Sequence, residues 1–164
     1  MALWRSMRDP WVLGQMALIL AVGVGTVVLE DRFPQVPERG TRIAAIVLCV
    51  IAIAVGLVSA VTLGPGLTPT VVPRPDGHLV TSGPYRYVRH PLYLAVVLGL
   101  TGWSLLAGRW MAGLAVLIVA SVYFSLKASA EERLLLARYP EYEHYRRRVG
   151  QLFPRLFSLS SSSS

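Results

Sequence analysis

The chain has 164 residues, of which 54% are hydrophobic and only 15% charged, and its mean hydropathy is +0.52. That is too apolar for an ordinary soluble domain and reads as an integral membrane protein. Its net charge of +7 is explained by topology and anionic lipid, so nucleic acid is not needed as a partner, and the lone Cys49 offers neither a disulfide framework nor a CxxC zinc site.

A hydrocarbon core of about 30 Å takes roughly 17 to 25 helical residues to cross. Four uncharged apolar runs approach or reach that length: residues 11–29, 43–63, 91–107 and 110–126. The first is longer than a signal-peptide core and ends in Glu30, Asp31 and Arg32, with no small-residue cleavage site, so it is expected to stay as a span. Residues 30–42, with two prolines and mixed charges, read as an exposed loop. Residues 1–63 are thus expected to be a two-span scaffold.

Residues 64–81 carry four prolines and three glycines, which excludes regular helix and predicts an extended connector along the membrane surface. The third and fourth runs are separated only by Gly108 and Arg109 and predict a tight helical hairpin, with Pro91 in a first turn where its missing N–H costs little. Beyond it, residues 131–149 predict a cytosolic helical segment broken at Pro140. Residues 64–157 form the second unit, and the serine-rich residues 158–164 are expected to be disordered. The expected fold is all-α, with four transmembrane helices.

Orientation follows from Lys and Arg counts in the flanking segments. With the N terminus inside, twelve fall on interior segments and four (Arg32, Arg39, Arg42 and Arg109) on exterior loops. Both termini and both polar clusters are therefore expected in the cytoplasm.

The first polar cluster packs two histidines, two arginines and three tyrosines into residues 78–93, more than a connector needs. Gly83 permits an unusual backbone conformation and Pro84 stiffens the turn, presenting nearby backbone groups to a ligand. Tyr85 and Tyr87 offer flat faces with hydroxyl tips. Arg89 supplies a fork suited to a carboxylate, and His90, pushed out of helical conformation by Pro91, can donate or accept near neutral pH. A blander reading has the arginines enforcing topology and the tyrosines forming an interfacial belt.

In the second cluster, Glu131 and Glu132 lie about one turn beyond the fourth run, where a carboxylate can accept from ribose hydroxyls or an amino group. Their alternative use is a surface ion pair with Arg89, Arg133 or Arg138, worth about 0 to 1 kcal/mol. Arg146 to Arg148 read first as lipid headgroup contacts. No GxGxxG, Walker loop, HExxH or GxSxG occurs, and His78, His90 and His144 have no metal-ligand spacing.

The ordered pair GPYRYVRHPLY (83–93) and EERLLLARYPEYEHYRRRVGQLFP (131–154), flanking an apolar hairpin, resembles the isoprenylcysteine carboxyl methyltransferase and phospholipid methyltransferase superfamily of integral membrane enzymes. The family's RHPxY element falls on Arg89, His90, Pro91 and Tyr93, its paired glutamates on Glu131 and Glu132, and its EYxxY element on Glu141, Tyr142 and Tyr145. The usual FG before EY is here Tyr139 and Pro140, and the four-span length is shorter than in the eukaryotic carboxyl methyltransferases.

The resemblance implies S-adenosyl-L-methionine as donor, S-adenosyl-L-homocysteine as product, no metal, and a lipophilic small-molecule or lipid acceptor entering from the bilayer. It implies a cofactor-binding set of His78, Leu79, Gly83, Pro84, Tyr85, Tyr87, Val88, Arg89, His90, Pro91, Tyr93, Glu131, Glu132 and Tyr142. Arg89, Glu132 and Arg146 are the candidate catalytic residues. The Arg-rich composition, with a single lysine, points to a bacterial inner membrane and leans against a prenylated protein as acceptor. A reductase of sterol-reductase-like C-terminal architecture using NADPH, or a non-enzymatic membrane scaffold, are the alternatives. The sequence leaves the oligomeric state open.

Overall fold

The computed structural model describes residues 9–28, 39–64, 79–108 and 110–155, and its regular elements are helical. They are α1 (Pro10–Val28), α2 (Arg39–Leu63), α3 (Pro91–Leu106), α4 (Trp110–Arg138) and α5 (Tyr142–Arg148), with a 3-10 turn at Gly83–Arg86 before α3. Among the described residues β pairing is confined to an isolated parallel bridge between Val88 and Gly150. The chain is all-α and an integral membrane protein. α1, α2 and α4 are each long and apolar enough to cross a bilayer, while α3, at 16 residues, is shorter.

The distribution of apolar surface fits lipid as the solvent. Ile46, Val50, Ile53 and Leu57 of α2 and Leu114, Ile118, Val122 and Leu126 of α4 are exposed, a continuous apolar surface that a water-soluble fold would bury. The inward faces are lined by small residues. α2 buries Ala45, Ala52 and Ser59, and Ala45 and Ala52 meet α3. A Cβ added at Gly102 would lie 2.7 Å from Cys49 Sγ and 3.1 Å from the Ala45 carbonyl, while Gly99 faces Ala52 and Gly56 faces Ala95. Without a hydrophobic drive between helices in lipid, such close approach supplies the dispersion contact. Gly23 and Gly25 face open space instead.

α1 is attached differently, by hydrogen bonds. Its start is capped by Asp9, whose Oδ1 accepts from the Trp11 N–H at 2.9 Å. The Tyr123 hydroxyl donates to the Trp11 carbonyl, Lys127 Nζ to Gln15 Oε1 at 2.6 Å, and Trp103 Nε1 to Thr26 Oγ1 at 3.0 Å. Within the bundle, Val97, Ala120 and Phe124 form a buried core that Leu152 enters from the C-terminal segment.

Two element boundaries differ from the sequence reading. α2 begins at Arg39, four residues before the apolar run, so Arg39 to Arg42 are helix and not loop. α4 continues through the charged residues to Arg138, because charge ends an apolar run but not a helix; Tyr139 and Pro140 end it. Residues 65–78, most of the connector, and the serine-rich tail lie outside the described residues.

Candidate active site

The site is made where the strand-like residues before α3 meet the chain after α5. Gly83 adopts φ +57°, and a Cβ there would lie 2.9 Å from Thr62 Oγ1, so the turn seats against the end of α2. Beyond it the Arg89 N–H donates to the Gly150 carbonyl at 2.8 Å and the His90 N–H to the Gln151 carbonyl at 3.1 Å. The Tyr145 hydroxyl donates to the Tyr85 carbonyl at 2.5 Å. The two polar clusters are thus one structure, and His90 keeps non-helical dihedrals (φ −125°, ψ 63°) before Pro91.

Arg89 is the hub. Its Nε donates to Glu132 Oε1 at 2.8 Å and its Nη2 to Glu132 Oε2 at 3.2 Å. Its Nη1 donates to the carbonyls of Arg146 (2.8 Å) and Val149 (2.5 Å). Both side chains of the Arg89–Glu132 pair are buried, at 7% and 6% exposure. The sequence reading weighed this pairing as a surface contact of little energy; burial makes it a pair whose separation is expensive. His90 Nε2 lies 3.1 Å from the same Glu132 Oε1, and Arg146 Nε 3.6 Å from Oε2. Arg89, Glu132 and Arg146 therefore converge, although Arg89 serves chiefly to hold Glu132 and the end of α5.

Glu131, one position along α4, faces a different set of groups. Its Oε2 accepts from the Tyr93 hydroxyl at 2.8 Å and lies 3.6 Å from His90 Nδ1. The Tyr93 and His90 rings stack in parallel, 5.3 Å apart. Both glutamates lie beyond the apolar stretch of α4, which closes at Leu126, and their environments push them apart. Burial raises Glu132, but hydrogen bonds from His90 and Arg89 and the Arg89 charge outweigh it and hold the carboxyl down at about 2. Burial raises Glu131 and prevails over the opposing His90 charge and the Tyr93 hydrogen bond. Burial likewise raises the phenols of Tyr85 and Tyr142, and takes Tyr145 to about 12, so all three are neutral donors at physiological pH.

The hydroxyls of Tyr85 and Tyr142 are buried with no hydrogen-bond partner among the described residues. A buried hydroxyl left unpaired costs about 1 to 3 kcal/mol, so both fit a polar ligand that completes them. A cleft of about 270 Å³ opens beside Glu132, lined by Arg89, Ser129, Glu132, Arg133, Leu136, Arg146 and Gln151. The lining of the cleft is polar, with one carboxylate and three arginines.

Of the residues singled out in the sequence, Tyr85, Val88, Arg89, His90, Pro91, Tyr93, Glu131, Glu132, Tyr142 and Arg146 come together. Gly83 and Pro84 build the adjoining turn. Tyr87 points outward, 62% exposed, with the Arg86 guanidinium 5.4 Å from its ring centroid, as an interfacial aromatic would; Leu79 is half-buried. His78 lies outside the described residues. Sequence reasoning missed Gln151, whose side chain donates to Ser129 Oγ (3.1 Å) and reaches Glu132 Oε1 at 3.4 Å, and also Gly150, Gln15 and Lys127.

The profile of the isoprenylcysteine carboxyl methyltransferase (ICMT) family matches residues 45–137, from α2 to the end of α4. Among curated proteins, the chain is 41% identical over 87 residues to the cobalt-zinc-cadmium resistance protein CzcN of Cupriavidus metallidurans, covering 51% of this chain and 38% of that protein. It is 31% identical over 91 residues to the nickel-cobalt-cadmium resistance protein NccN of Alcaligenes xylosoxydans, covering 56% and 43%. It is 35% identical over 80 residues to a protein-S-isoprenylcysteine O-methyltransferase of Schizosaccharomyces pombe, covering 48% and 34%. The chain thus matches less than half the length of each of these relatives.

Proposed function

Since the chain belongs to the isoprenylcysteine carboxyl methyltransferase family, we propose that it is a membrane methyltransferase using S-adenosyl-L-methionine to methylate a lipophilic acceptor reached from the bilayer. The observation that carries this reading is the buried Arg89–Glu132–His90 cluster beside two unpartnered phenols. It is a polar pocket at the end of an apolar bundle with more hydrogen-bonding capacity than its own residues consume.

Bound donor would supply an electrophilic methyl on a sulfonium, and displacement in one step depends mainly on alignment. The protein's tasks are holding and orienting. His90 and the backbone of Tyr85 to Val88 hold the methionyl end, and Tyr93 with Glu131 and Glu132 takes the adenosyl end. Arg89 fixes Glu132 and the carbonyl end of α5, which brings Arg146, half-exposed at the cleft, to the acceptor head. A carboxylate acceptor needs no base at neutral pH. An amine must first lose a proton, which His90 or a glutamate would take.

In this reading α3 and α4 form a hairpin and α3 is a fourth span. Residues 64–157 are the catalytic core, 1–63 the two-span part, and the site faces the cytoplasm of a bacterial inner membrane. Titration calorimetry of the detergent-purified protein with S-adenosylmethionine and S-adenosylhomocysteine tests the assignment. Micromolar binding abolished by His90→Ala is the expected result. Absence of binding by a folded preparation, repeated in lipid nanodiscs, overturns it.

A further inference from the structure

The most deeply buried charged side chain among the described residues has no part in the proposed reaction. Lys127 is 1% exposed and directly follows the apolar stretch of α4, where an ammonium is costly to place and signals function unless it is well used. Its Nζ donates to Gln15 Oε1 of α1 at 2.6 Å and lies 5.1 Å from the Tyr93 ring centroid. That ring stacks on His90 and its hydroxyl binds Glu131, which is also one helical turn beyond Lys127. Tyr123 and Trp103 also pin α1, at Trp11 and Thr26.

We propose that Lys127, clamped by Gln15 of α1, is a positioning residue of the donor site, fixing the Tyr93 ring and, through its hydroxyl, the Glu131 side chain that accepts from the donor. The inference rests on the proposed function for its meaning, and it makes α1 part of the site instead of a remote anchor. The groups that face Glu131 come from every neighbouring element: Lys127 and Glu132 from α4, Tyr93 from α3, His90 before it, Tyr85 from the 3-10 turn and Tyr142 from α5. Asp9, ahead of α1, acts on Lys127 and Tyr93. Burial, the largest effect, and Glu132 favour the protonated acid, while His90, the Tyr93 hydrogen bond and Lys127 favour the carboxylate. Removing the lysine therefore lets Glu131 hold its proton to higher pH.

The test compares wild type, Lys127→Met, Lys127→Arg and Gln15→Leu in S-adenosylhomocysteine affinity from pH 6 to 8.5, alongside infrared titration of protonated carboxyl groups. Wherever the pH lies below the Glu131 pKa, a one-unit rise in that pKa corresponds to about a tenfold loss of affinity. Lys127→Met is expected to lose affinity most at the acid end of the range and to recover as pH rises, Gln15→Leu to follow in the same direction by less, and Lys127→Arg to stay near wild type. The added pH dependence should vanish when Lys127→Met is combined with Glu131→Gln. A loss equal at every pH, or none, would overturn the proposal. If wild type itself fails to bind, the proposed function falls while the infrared titration still decides whether Lys127 governs Glu131.

Discussion

Arg89 and Glu132 illustrate how little freedom a buried ion pair leaves. Glu132→Ala leaves the Arg89 guanidinium buried beside two carbonyls with no counter-charge, which is expected to cost about 3 to 5 kcal/mol and to show as an early thermal transition in detergent. The pair also sets an acid limit. A carboxyl held at about 2 in the fold, against about 4.3 unfolded, contributes stability that is complete above about pH 4.5 and is lost as pH falls toward 2. Melting temperature should therefore drop through that window in wild type and drop less steeply in Glu132→Gln; parallel curves would refute the assignment. The types of residue in the site were legible because His, Arg and Glu are conspicuous beside apolar helices. Which glutamate takes Arg89 and which takes Tyr93 was not, since that depends on a 100° difference in direction around α4, measured against partners some 40 residues away in sequence. Gly150 and Gln151 carry no signal at all until the bridge to Val88 is formed.

At the scale of the elements, the chain after α5 completes a site that the apolar helices only support. Gly150 pairs with Val88, and a Cβ there would run into the Phe153 carbonyl, backbone that no rotamer change can move. Gly150→Ala is expected to abolish S-adenosylhomocysteine binding while helical circular dichroism stays within about 10% of wild type, since the change lies outside the long helices. A second consequence concerns α2 and α3. Gly102→Val must force apart the Cys49 and Ala45 contacts, with an expected cost of about 1 to 3 kcal/mol, whereas Gly23→Val, facing open space, should be nearly neutral in a thermal melt. The positions of the helices could be read from apolar runs to within a residue at Pro10 and Leu63. The last three turns of α4 could not be fixed in the same way, because α-helical hydrogen bonding continues through Glu131, Glu132 and Arg133 once the chain leaves the apolar layer. Those turns place both glutamates against His90 and Tyr93.

For the molecule as a whole, the bridge between Val88 and Gly150 has a topological meaning: both polar clusters must lie on one side of the membrane, whichever side that is. In the proposed four-span reading, the distribution of arginine and lysine, twelve against four, puts that side in the cytoplasm. The number of crossings depends on α3, whose 16 residues rise about 24 Å at 1.5 Å each, a little less than the hydrocarbon thickness of about 30 Å. Flanking residues or local thinning of the bilayer can make up a mismatch of that size at a modest cost per ångström. Single cysteines at Ser82, Glu141 and Arg109, introduced on a Cys49→Ser background, separate the possibilities. Ser82→Cys and Glu141→Cys, both at exposed positions, should react with a membrane-impermeant maleimide only in inverted vesicles. Arg109→Cys should react only in right-side-out spheroplasts if α3 crosses. Labelling of Ser82→Cys and Arg109→Cys from one side and of Glu141→Cys from the other would make α3 a re-entrant helix returning to the face it left, with α4 then crossing from that face and carrying Glu131 and Glu132 away from His90. Since His90 and Glu132 lie 3.1 Å apart, that outcome would contradict the site itself, and the labelling pattern therefore tests the fold and the proposed chemistry together.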